Sequence, residues 1–258
     1  MTEAILHKNK DDDSIIQAMN VHKFYHTGKL DVRALKGVSL SIQRGEVVAL
    51  MGPSGCGKTT LLNCLSGLDS ISSGIVRIAG QDIRAFSDRE LTAFRAREMG
   101  FVFQAYNLLP VLTGLENVEL PLLVSGVSSR EARARARAGI ERVGLLDWAR
   151  HRPAEMSGGQ RQRFAIARAL ATMPTIVWAD EPTGALDSAT SQEIIDLMLI
   201  LNREHGLTFV WGTHALEVAR QAHRLVTMRD GLVEGDLRLQ TGSSSTVAAG
   251  APLLHDGQ

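Results

Sequence analysis

The stretch Glu46–Leu68, EVVALMGPSGCGKTTLLNCLSGL, decides the fold. Its first six residues, Glu46–Met51, form a short apolar run that predicts a buried strand. Residues Lys58–Leu68 have the pattern of a helix. The glycine-rich turn between them fits G-x-x-x-x-G-K-[ST]. A strand, a glycine-rich turn and a helix in this order predict a loop that wraps around a phosphate group.

The chemistry of phosphate binding accounts for each part of this pattern. Glycines let backbone N–H groups converge on phosphate oxygens without clashes from Cβ atoms, and the helix adds its positive end. We predict that Lys58 places a positive charge at the β- and γ-phosphates and that the Thr59 hydroxyl binds Mg²⁺. The nucleotide-binding residues predicted in this loop are Gly52, Pro53, Ser54, Gly55, Cys56, Gly57, Lys58, Thr59 and Thr60.

Strands and helices alternate again towards the C-terminus. Thr175–Ala179 is a second apolar run and is followed by the helical pattern of Ser188–His205. Leu207–Gly212 is a third apolar run and precedes a helix predicted at Leu216–Ala222. Alternation of this kind predicts an α/β fold with a mostly parallel sheet covered by helices.

Two other regions depart from this alternation. The N-terminal third contains three predicted strands with no helix between them, which indicates a small antiparallel part: Ser14–Val21, Ala34–Ile42 and Gly74–Ile78. The middle contains three predicted helices with no strand between them: Leu115–Val124, Ser128–Val143 and Gly158–Thr172. We therefore predict one domain over 14–238 with a helical insertion at about 105–158, flanked by a disordered tail at 1–13 and a flexible tail at 239–258.

The composition excludes several classes of protein. The 258 residues include 28 Lys plus Arg and 28 Asp plus Glu, and a formal charge of zero argues against bulk binding to nucleic acid. A hydrophobic content of 44% can fill a core, so the chain as a whole is not expected to be disordered. Two cysteines are too few for a disulfide framework. The sequence has no stretch apolar enough to span a bilayer, so any work at a membrane needs a partner.

An acidic pair follows the second apolar run. Asp180 and Glu181 come directly after Ile176–Ala179. A carboxylate at the end of a buried strand is the means by which nucleotidases with this type of phosphate loop hold Mg²⁺. The second carboxylate can polarise an attacking water as a general base. Together with the phosphate loop, the pair predicts hydrolysis of ATP or GTP.

A third motif carries a resemblance to a known family. The string Ser157-Gly158-Gly159-Gln160 follows the predicted helical insertion and precedes Glu181. The phosphate loop, this string and the acidic pair, in this order, resemble the motifs of ABC ATPases. The resemblance extends from about Ile15 to Asp236. It implies a P-loop NTPase fold with a RecA-like core, a small antiparallel β part and an inserted helical subdomain.

The resemblance also implies roles for single residues. Tyr25 corresponds to the aromatic residue that stacks on adenine, and Gln104 to the glutamine that links Mg²⁺ and water to the helical subdomain. Asp187 corresponds to an aspartate at the dimer interface, and His214 to the histidine that contacts the γ-phosphate. In the family, two subunits form a head-to-tail homodimer with two ATP molecules between them. The residues implied to complete the opposite subunit's site are Ser157, Gly158, Gly159 and Gln160.

Further strings resemble one branch of the family, that of MacB, LolD and FtsE. They are VRAL at 32–35, NLLP at 107–110, LENVELPLL at 115–123 and ADEPTGALD at 179–187. The resemblance implies integral membrane permease subunits with few spans that transmit force across the membrane, for lipoprotein release or for export of drugs or peptides. It places the chain at the cytoplasmic face of the inner membrane, bound peripherally through the membrane subunit.

The sequence leaves other possibilities open. One is an ABC ATPase that acts on ribosomes or DNA without a membrane partner, although such relatives usually carry two cassettes or long insertions. Another is an unrelated phosphate-loop enzyme such as a small-molecule kinase, which the S-G-G-Q string disfavours. The membrane subunit is expected to dock near Gln104–Leu109 and Leu115–Leu123, where apolar residues stand in a polar loop.

Overall fold

The structure is a computed structural model that describes residues 14–27 and 30–239. The predicted tail at 1–13 lies outside the described residues, and only Leu239 of the predicted tail at 239–258 lies within them. The described part contains ten strands and seven α-helices.

The strands are numbered β1 to β10 along the chain. Their bounds are Ser14–Thr27, Leu30–Gln43, Val47–Met51, Ser73–Ile78, Gln81–Asp82, Met99–Phe103, Ile176–Asp180, Thr208–Thr213, Arg224–Arg229 and Leu232–Arg238.

The α-helices are numbered α1 to α7. Their bounds are Lys58–Leu65, Asp88–Glu98, Gly114–Val124, Ser129–Arg142, Gly158–Leu170, Ser188–His205 and Leu216–Ala219. Three single turns of 3₁₀-helix lie at Ile83–Ala85, Leu146–Trp148 and Pro153–Glu155.

The strands form two sheets. The larger has the order β10-β9-β3-β8-β7-β6, in which all neighbours are parallel except the edge strand β10. The smaller has the order β2-β1-β4-β5 and is antiparallel. The carboxyl ends of β3, β6, β7 and β8 lie at one edge of the larger sheet, which is where ligands bind in folds of this kind.

Two apolar cores cover the two faces of the larger sheet. On one face Ala49, Val177 and Trp211 pack with α5 and α6. On the other face Leu50 and Val210 pack with α1 and with the smaller sheet. Because side chains alternate along a strand, each central strand supplies both cores. The first helix, α1, is therefore held between the two sheets, and the loop before it has a fixed position.

The three helices α3, α4 and α5 pack against one another, and α5 also packs against β6. Each helix begins at a hydroxyl residue, Thr113, Ser128 or Ser157, whose side chain accepts a hydrogen bond from a backbone N–H group in the first turn. Such caps satisfy donors that the helix itself leaves free. The helix α5 thus connects the helical group to the larger sheet.

The structure confirms the predicted α/β class, with its parallel core, antiparallel part and helical region, and it corrects several bounds. The first helix ends at Leu65, three residues early, where Gly67 takes a left-handed φ of 68°. The fifth ends at Leu170, because Met173, also left-handed, precedes Pro174, and a residue before proline disfavours helix. The last helix ends at Ala219 rather than Ala222.

Several elements were not predicted from the sequence, among them α2, β5 and the β9–β10 hairpin. The helix α2 buries only Phe94, so it has almost no apolar periodicity. Its capping box, in which Ser87 and Glu90 bond to each other's backbone N–H groups, was the readable signal. The hairpin of β9 and β10 was also missed, because β10 is a half-exposed edge strand with a Gly in its middle.

Candidate active site

A cleft of about 830 Å³ opens at the carboxyl edge of the larger sheet. The phosphate loop forms one side through residues 53–60, except Cys56. The other sides are formed by residues that lie far from the loop in sequence: Gln104, Asp180, Glu181, His214 and Asp230. The fold therefore brings four of the predicted site residues to the loop. Gly52 and Cys56 are not part of the lining, and Cys56 is buried behind it.

The loop is shaped by close backbone packing. Gly57 caps α1 with a left-handed φ of 105°, and within the described residues no side chain caps the first turn. A Cβ atom on Gly52 would lie 2.3 Å from the carbonyl oxygen of Met228, so only glycine fits there. Unbonded N–H groups at a helix N-terminus favour an anion. The loop is therefore built to receive phosphate oxygens.

Lys58 is the buried cation of the loop. Its side chain turns back so that Nζ donates hydrogen bonds to the carbonyl oxygens of Gly52 (2.7 Å) and Pro53 (3.1 Å). The residue is only 7% exposed. A cation so little hydrated interacts strongly with an anion placed in the loop.

Thr59 and Asp180 form the part of the cleft that suits a cation. The Thr59 hydroxyl donates a hydrogen bond to Oδ2 of Asp180 (2.8 Å), while Oδ1 of Asp180 is buried without a hydrogen-bond partner in the described residues. Burial raises the pKa of Asp180. The hydrogen bond from Thr59 lowers it, and the nearby charge of Glu181 raises it further. A bound cation would satisfy the free oxygen. Hydroxyl and carboxylate oxygens are the donors that Mg²⁺ prefers, so this pair fits the predicted ion.

Glu181 and His214 face each other across the cleft. Nδ1 of His214 lies 2.9 Å from Oε1 of Glu181. An ionised carboxylate only accepts, so Nδ1 carries a proton in this contact. Glu181 has a left-handed φ of 48°, which is uncommon for a side chain of this kind, and its N–H donates to the carbonyl of Gly212 (2.9 Å). The backbone therefore holds a carboxylate in one orientation beside the phosphate loop.

Gln104 follows β6 and reaches the same cleft. A Cβ atom on Gly184 would lie 2.8 Å from Nε2 of Gln104, so the amide packs against the segment that follows Glu181. The next loop residues, Tyr106 and Asn107, both have left-handed φ angles, and the Arg168 guanidinium donates hydrogen bonds to their carbonyls. This guanidinium on α5 therefore fixes the loop that carries Gln104.

The Ser157–Gln160 string is not part of the cleft. Ser157 and Gln160 form a reciprocal capping box at the start of α5, with distances of 3.2 and 2.8 Å. A Cβ atom on Gly159 would lie 2.6 Å from Cγ2 of Thr190, so the string packs against α6. Asp187 caps α6 there and accepts hydrogen bonds from the backbone and hydroxyl of Thr190, which lower the pKa of Asp187.

Tyr25 also lies outside the lining of the cleft. Its hydroxyl donates a hydrogen bond to Oδ2 of Asp69 (2.7 Å). Burial, and to a smaller extent this hydrogen bond, raise the pKa of Tyr25 to about 12. Lys36, Asp230 and Gly231 also line the cleft and were not singled out by the sequence. Lys36 lies on β2, while Asp230 and Gly231 form the β9–β10 turn, an Asp-Gly pair that is typical of a hairpin.

The fold and the cleft define a P-loop nucleoside triphosphatase. The chain belongs to the ABC transporter family, because residues 35–184 match the sequence profile of that family. This confirms the predicted family and fold class. Membership makes the chain an ATP-hydrolysing subunit that uses ATP and Mg²⁺.

Named relatives and solved structures agree with this assignment. The chain is 50% identical over 226 residues to the macrolide export ATP-binding/permease protein MacB of Rhodopirellula baltica, covering 87% of this chain and 33% of that protein. It is 47% identical over 219 residues to the lipoprotein-releasing system ATP-binding protein LolD of Porphyromonas gingivalis, covering 85% and 98%. The chain thus spans about a third of the length of MacB and nearly all of LolD.

A solved structure shows that the similarity extends to the fold. The ATP-binding cassette MJ0796 of Methanocaldococcus jannaschii, described as a dimeric post-hydrolysis state bound to ADP and Pi, aligns with a TM-score of 0.81 and 45% identity. The alignment covers 88% of this chain and 100% of that chain. The predicted branch of the family, that of MacB and LolD, is confirmed by these relatives.

Proposed function

We propose that Glu181 is the general base of ATP hydrolysis in this chain. The observation that carries the proposal is the 2.9 Å contact between Glu181 and His214 beside the phosphate loop. Oε1 accepts from His214, so the second carboxylate oxygen is available to orient a water and take its proton. His214 holds the carboxylate in place, and a contact of His214 with the γ-phosphate requires a proton on Nε2 as well.

The remaining roles follow from the same cleft. Lys58 neutralises charge on the β- and γ-phosphates, and the N–H groups of the loop bind their oxygens. Thr59 and Asp180 would hold Mg²⁺, with Gln104 beside them, and the ion supplies charge neutralisation and orientation of the phosphates when bound. Tyr25, which lies beside the cleft and not in its lining, stacks on adenine. These assignments are supported by the positions of the side chains.

The chain works as a homodimer in which Ser157–Gln160 of one subunit completes the site of the other. Three observations support this. The string does not line the cleft of its own subunit, and it stands at the N-terminus of a 13-residue helix, which favours an anion. The related cassette MJ0796 is described as dimeric. ATP then closes the dimer and hydrolysis lets it open, which is a ligand-biased switch.

Closing and opening of the dimer drive a conformational change in a membrane subunit. Relatives of the chain are described as parts of a macrolide exporter and of a lipoprotein-releasing system. A groove of about 540 Å³ lies between α2 and the ends of α3 and α5. Its lining combines apolar side chains with three arginines: Ala93, Ala96, Leu122, Val124, Val127, Arg89, Arg97 and Arg135. None of the helices in the described part of the chain is long and apolar enough to cross a bilayer.

We place the subunit at the cytoplasmic face of the inner membrane, where it drives export or force transmission of the MacB and LolD type. The test is recovery of tagged Glu181→Gln from detergent-solubilised membranes with ATP, with partners identified by mass spectrometry. The expected partner is a protein with few membrane spans and a large extracytoplasmic domain, and Lys58→Ala should recover less of it. Recovery of ribosomes or DNA-repair factors alone would support an ABC ATPase without a membrane partner.

A further inference from the structure

The side chain of Tyr25 is held by two residues that have no role so far. Nζ of Lys23 lies 4.8 Å from the centre of the Tyr25 ring and donates hydrogen bonds to Oδ1 of Asp69 and the carbonyl of Ser70, both at 2.6 Å. The Tyr25 hydroxyl donates to Oδ2 of the same carboxylate at 2.7 Å. Each oxygen of Asp69 thus serves one of the two partners. We call Lys23, Tyr25 and Asp69 the aromatic clamp.

Burial within the clamp is uneven. Lys23 is 6% exposed, whereas Tyr25 is 37% exposed. Because the buried ammonium covers one face of the ring, the accessible surface belongs to the other face and the edges. A cation over a ring is attracted by the ring's electrons, and more strongly where water is excluded. The clamp therefore presents a partly exposed ring that is held in one orientation.

The clamp connects the base side of the site to the phosphate side. Tyr25 and Lys23 lie on β1, whereas Asp69 lies in the loop after α1, where its N–H donates to the carbonyl of Asn63 (3.0 Å). Tyr25 pairs in register with Val32 and its hydroxyl is close to Thr60, and both of these residues line the cleft. The ring therefore stands at the edge of the cleft, tied to the helix that carries Lys58.

The charges of the clamp are balanced. Burial alone would raise the pKa of Asp69, but the hydrogen bonds from Lys23 and Tyr25 outweigh it and lower that pKa. The clamp therefore adds one positive and one negative charge beside the ring, with the two in direct contact. Removing Asp69 would leave the buried Lys23 ammonium without its charged partner, which is costly, whereas the carboxylate of Asp69 is 30% exposed.

We propose that Lys23 and Asp69 are positioning residues that fix the Tyr25 ring as a platform for the base of the nucleotide. This inference rests on the proposed stacking role of Tyr25. A ring held in advance loses little conformational entropy when a base stacks on it. A free tyrosine at the same position would have to be ordered at each binding event.

The test separates the base from the phosphates by using two probes, ADP and pyrophosphate, with affinities measured by calorimetry. Tyr25→Phe removes only the hydroxyl anchor, and Lys23→Met removes only the cation. Each should weaken ADP binding by about 3- to 10-fold, from the loss of one hydrogen bond or one cation–ring contact. Pyrophosphate affinity should not change, because it needs only the phosphate loop. Lys23→Arg, which keeps the cation, should restore most of the ADP affinity.

Coupling is measured in a double variant. Lys23→Met in a Tyr25→Ala background should weaken ADP binding no further than Tyr25→Ala alone, because the platform is already absent. An equal loss of ADP and pyrophosphate affinity in Lys23→Met would overturn the inference and show a structural tie to α1. Unchanged ADP affinity in both Lys23→Met and Tyr25→Phe would also overturn it.

The proposed stacking role has its own readout. Unchanged ADP affinity in Tyr25→Ala would contradict stacking itself, and the inference would fall with it. A weakened Tyr25→Ala beside unaffected Lys23→Met and Tyr25→Phe would leave the stacking role intact and overturn only the clamp. If Lys23→Met does not fold, Tyr25→Phe decides alone, since it removes a single oxygen from a partly exposed side chain.

Discussion

The cleft and the S-G-G-Q string differ in how their polar groups are satisfied. In the cleft, Oδ1 of Asp180 is buried without a partner in the described residues, and Glu181 has an uncommon backbone conformation. At the string, Ser157 and Gln160 bond to each other's backbone, and Asp187 bonds to Thr190. In the cleft these features point to a bound ligand, whereas in the described residues buried atoms without a partner also occur directly after the string, at Nε of Arg161 and Oε1 of Gln162. The cleft therefore has groups that a nucleotide and a cation would satisfy, while the string has an internally bonded capping box, as the proposed role against another subunit allows.

The largest effect is expected from Glu181→Gln in the cleft. The amide keeps the shape but cannot take a proton, so the rate of hydrolysis should fall by about 10²- to 10⁴-fold. ATP binding should remain, and the closed dimer should accumulate in size-exclusion chromatography with ATP. Glu193→Gln, which changes a carboxylate on the outside of α6, is the matched control and should hydrolyse at the wild-type rate. A Glu181→Gln variant as active as wild type would contradict the assigned base.

Next in size is the effect of Lys58→Ala. Loss of charged hydrogen bonds to phosphate should weaken ATP binding by about 10- to 100-fold. Equilibrium titration with a fluorescent ATP analogue measures this loss. Lys36→Ala removes an exposed cation from the rim of the same cleft and should change the affinity far less. Equal losses in the two variants would mean that general charge, rather than the loop, binds the phosphates.

A smaller and more selective effect is expected from Ser157→Ala at the string. Loss of the cap should lower the free energy of unfolding by about 1 kcal/mol. ATP affinity of the monomer should stay unchanged, while hydrolysis and ATP-dependent dimerisation should fall. Ser87→Ala removes a capping box of the same kind from α2 and should cost similar stability without loss of hydrolysis. If Ser157→Ala weakened ATP binding to the monomer, the string would contribute to the site of its own subunit, which would contradict the proposed contrast between the two regions.

The smallest expected effect is a pH-dependent change in stability, which distinguishes Asp180 in the cleft from Asp187 near the string. The pKa of Asp180 is raised by burial, so its ionised form destabilises the nucleotide-free protein at neutral pH. Asp180→Asn should therefore raise Tm at pH 7, and the gain should shrink as the pH falls towards the ordinary carboxyl value of 3.8 and the wild-type residue becomes protonated.

Asp187 provides the matched comparison with the opposite sign. The hydrogen bonds from Thr190 lower its pKa, so its contribution to stability is present above pH 3.8 and is lost as the pH falls through the folded-state pKa. Asp187→Asn should therefore lower Tm slightly at pH 7, since asparagine is also a good helix cap. Thermal melts of both variants without Mg²⁺ or nucleotide check the pair, and a loss of Tm in Asp180→Asn would contradict the assigned cost of its charge.

The motifs that sequence reasoning found are local ones. The phosphate loop lies within eight residues, and the acidic pair directly follows a strand, so chemistry and secondary structure are both readable from neighbouring residues. The role of Ser157–Gln160 came only from the family resemblance, because a capping box has the same local pattern in helices that bind nothing. The helix α2 and the β9–β10 hairpin have little apolar periodicity, and their local signals, the Ser87–Glu90 capping box and the Asp230-Gly231 pair, were not used.

The sequence by itself determined the class of protein, because backbone turns and apolar periodicity act between near neighbours along the chain. It thereby defined the phosphate loop, the buried strands before it and before Asp180, and the helices that follow them. Only the tertiary structure decided which side chains meet. The strand order β3-β8-β7-β6 brings His214, Glu181 and Gln104 to Lys58, and the packing of α1 under β1 brings Asp69 to Lys23 across 46 residues. Packing of apolar faces fixes that order, and no local pattern encodes contacts at such a separation.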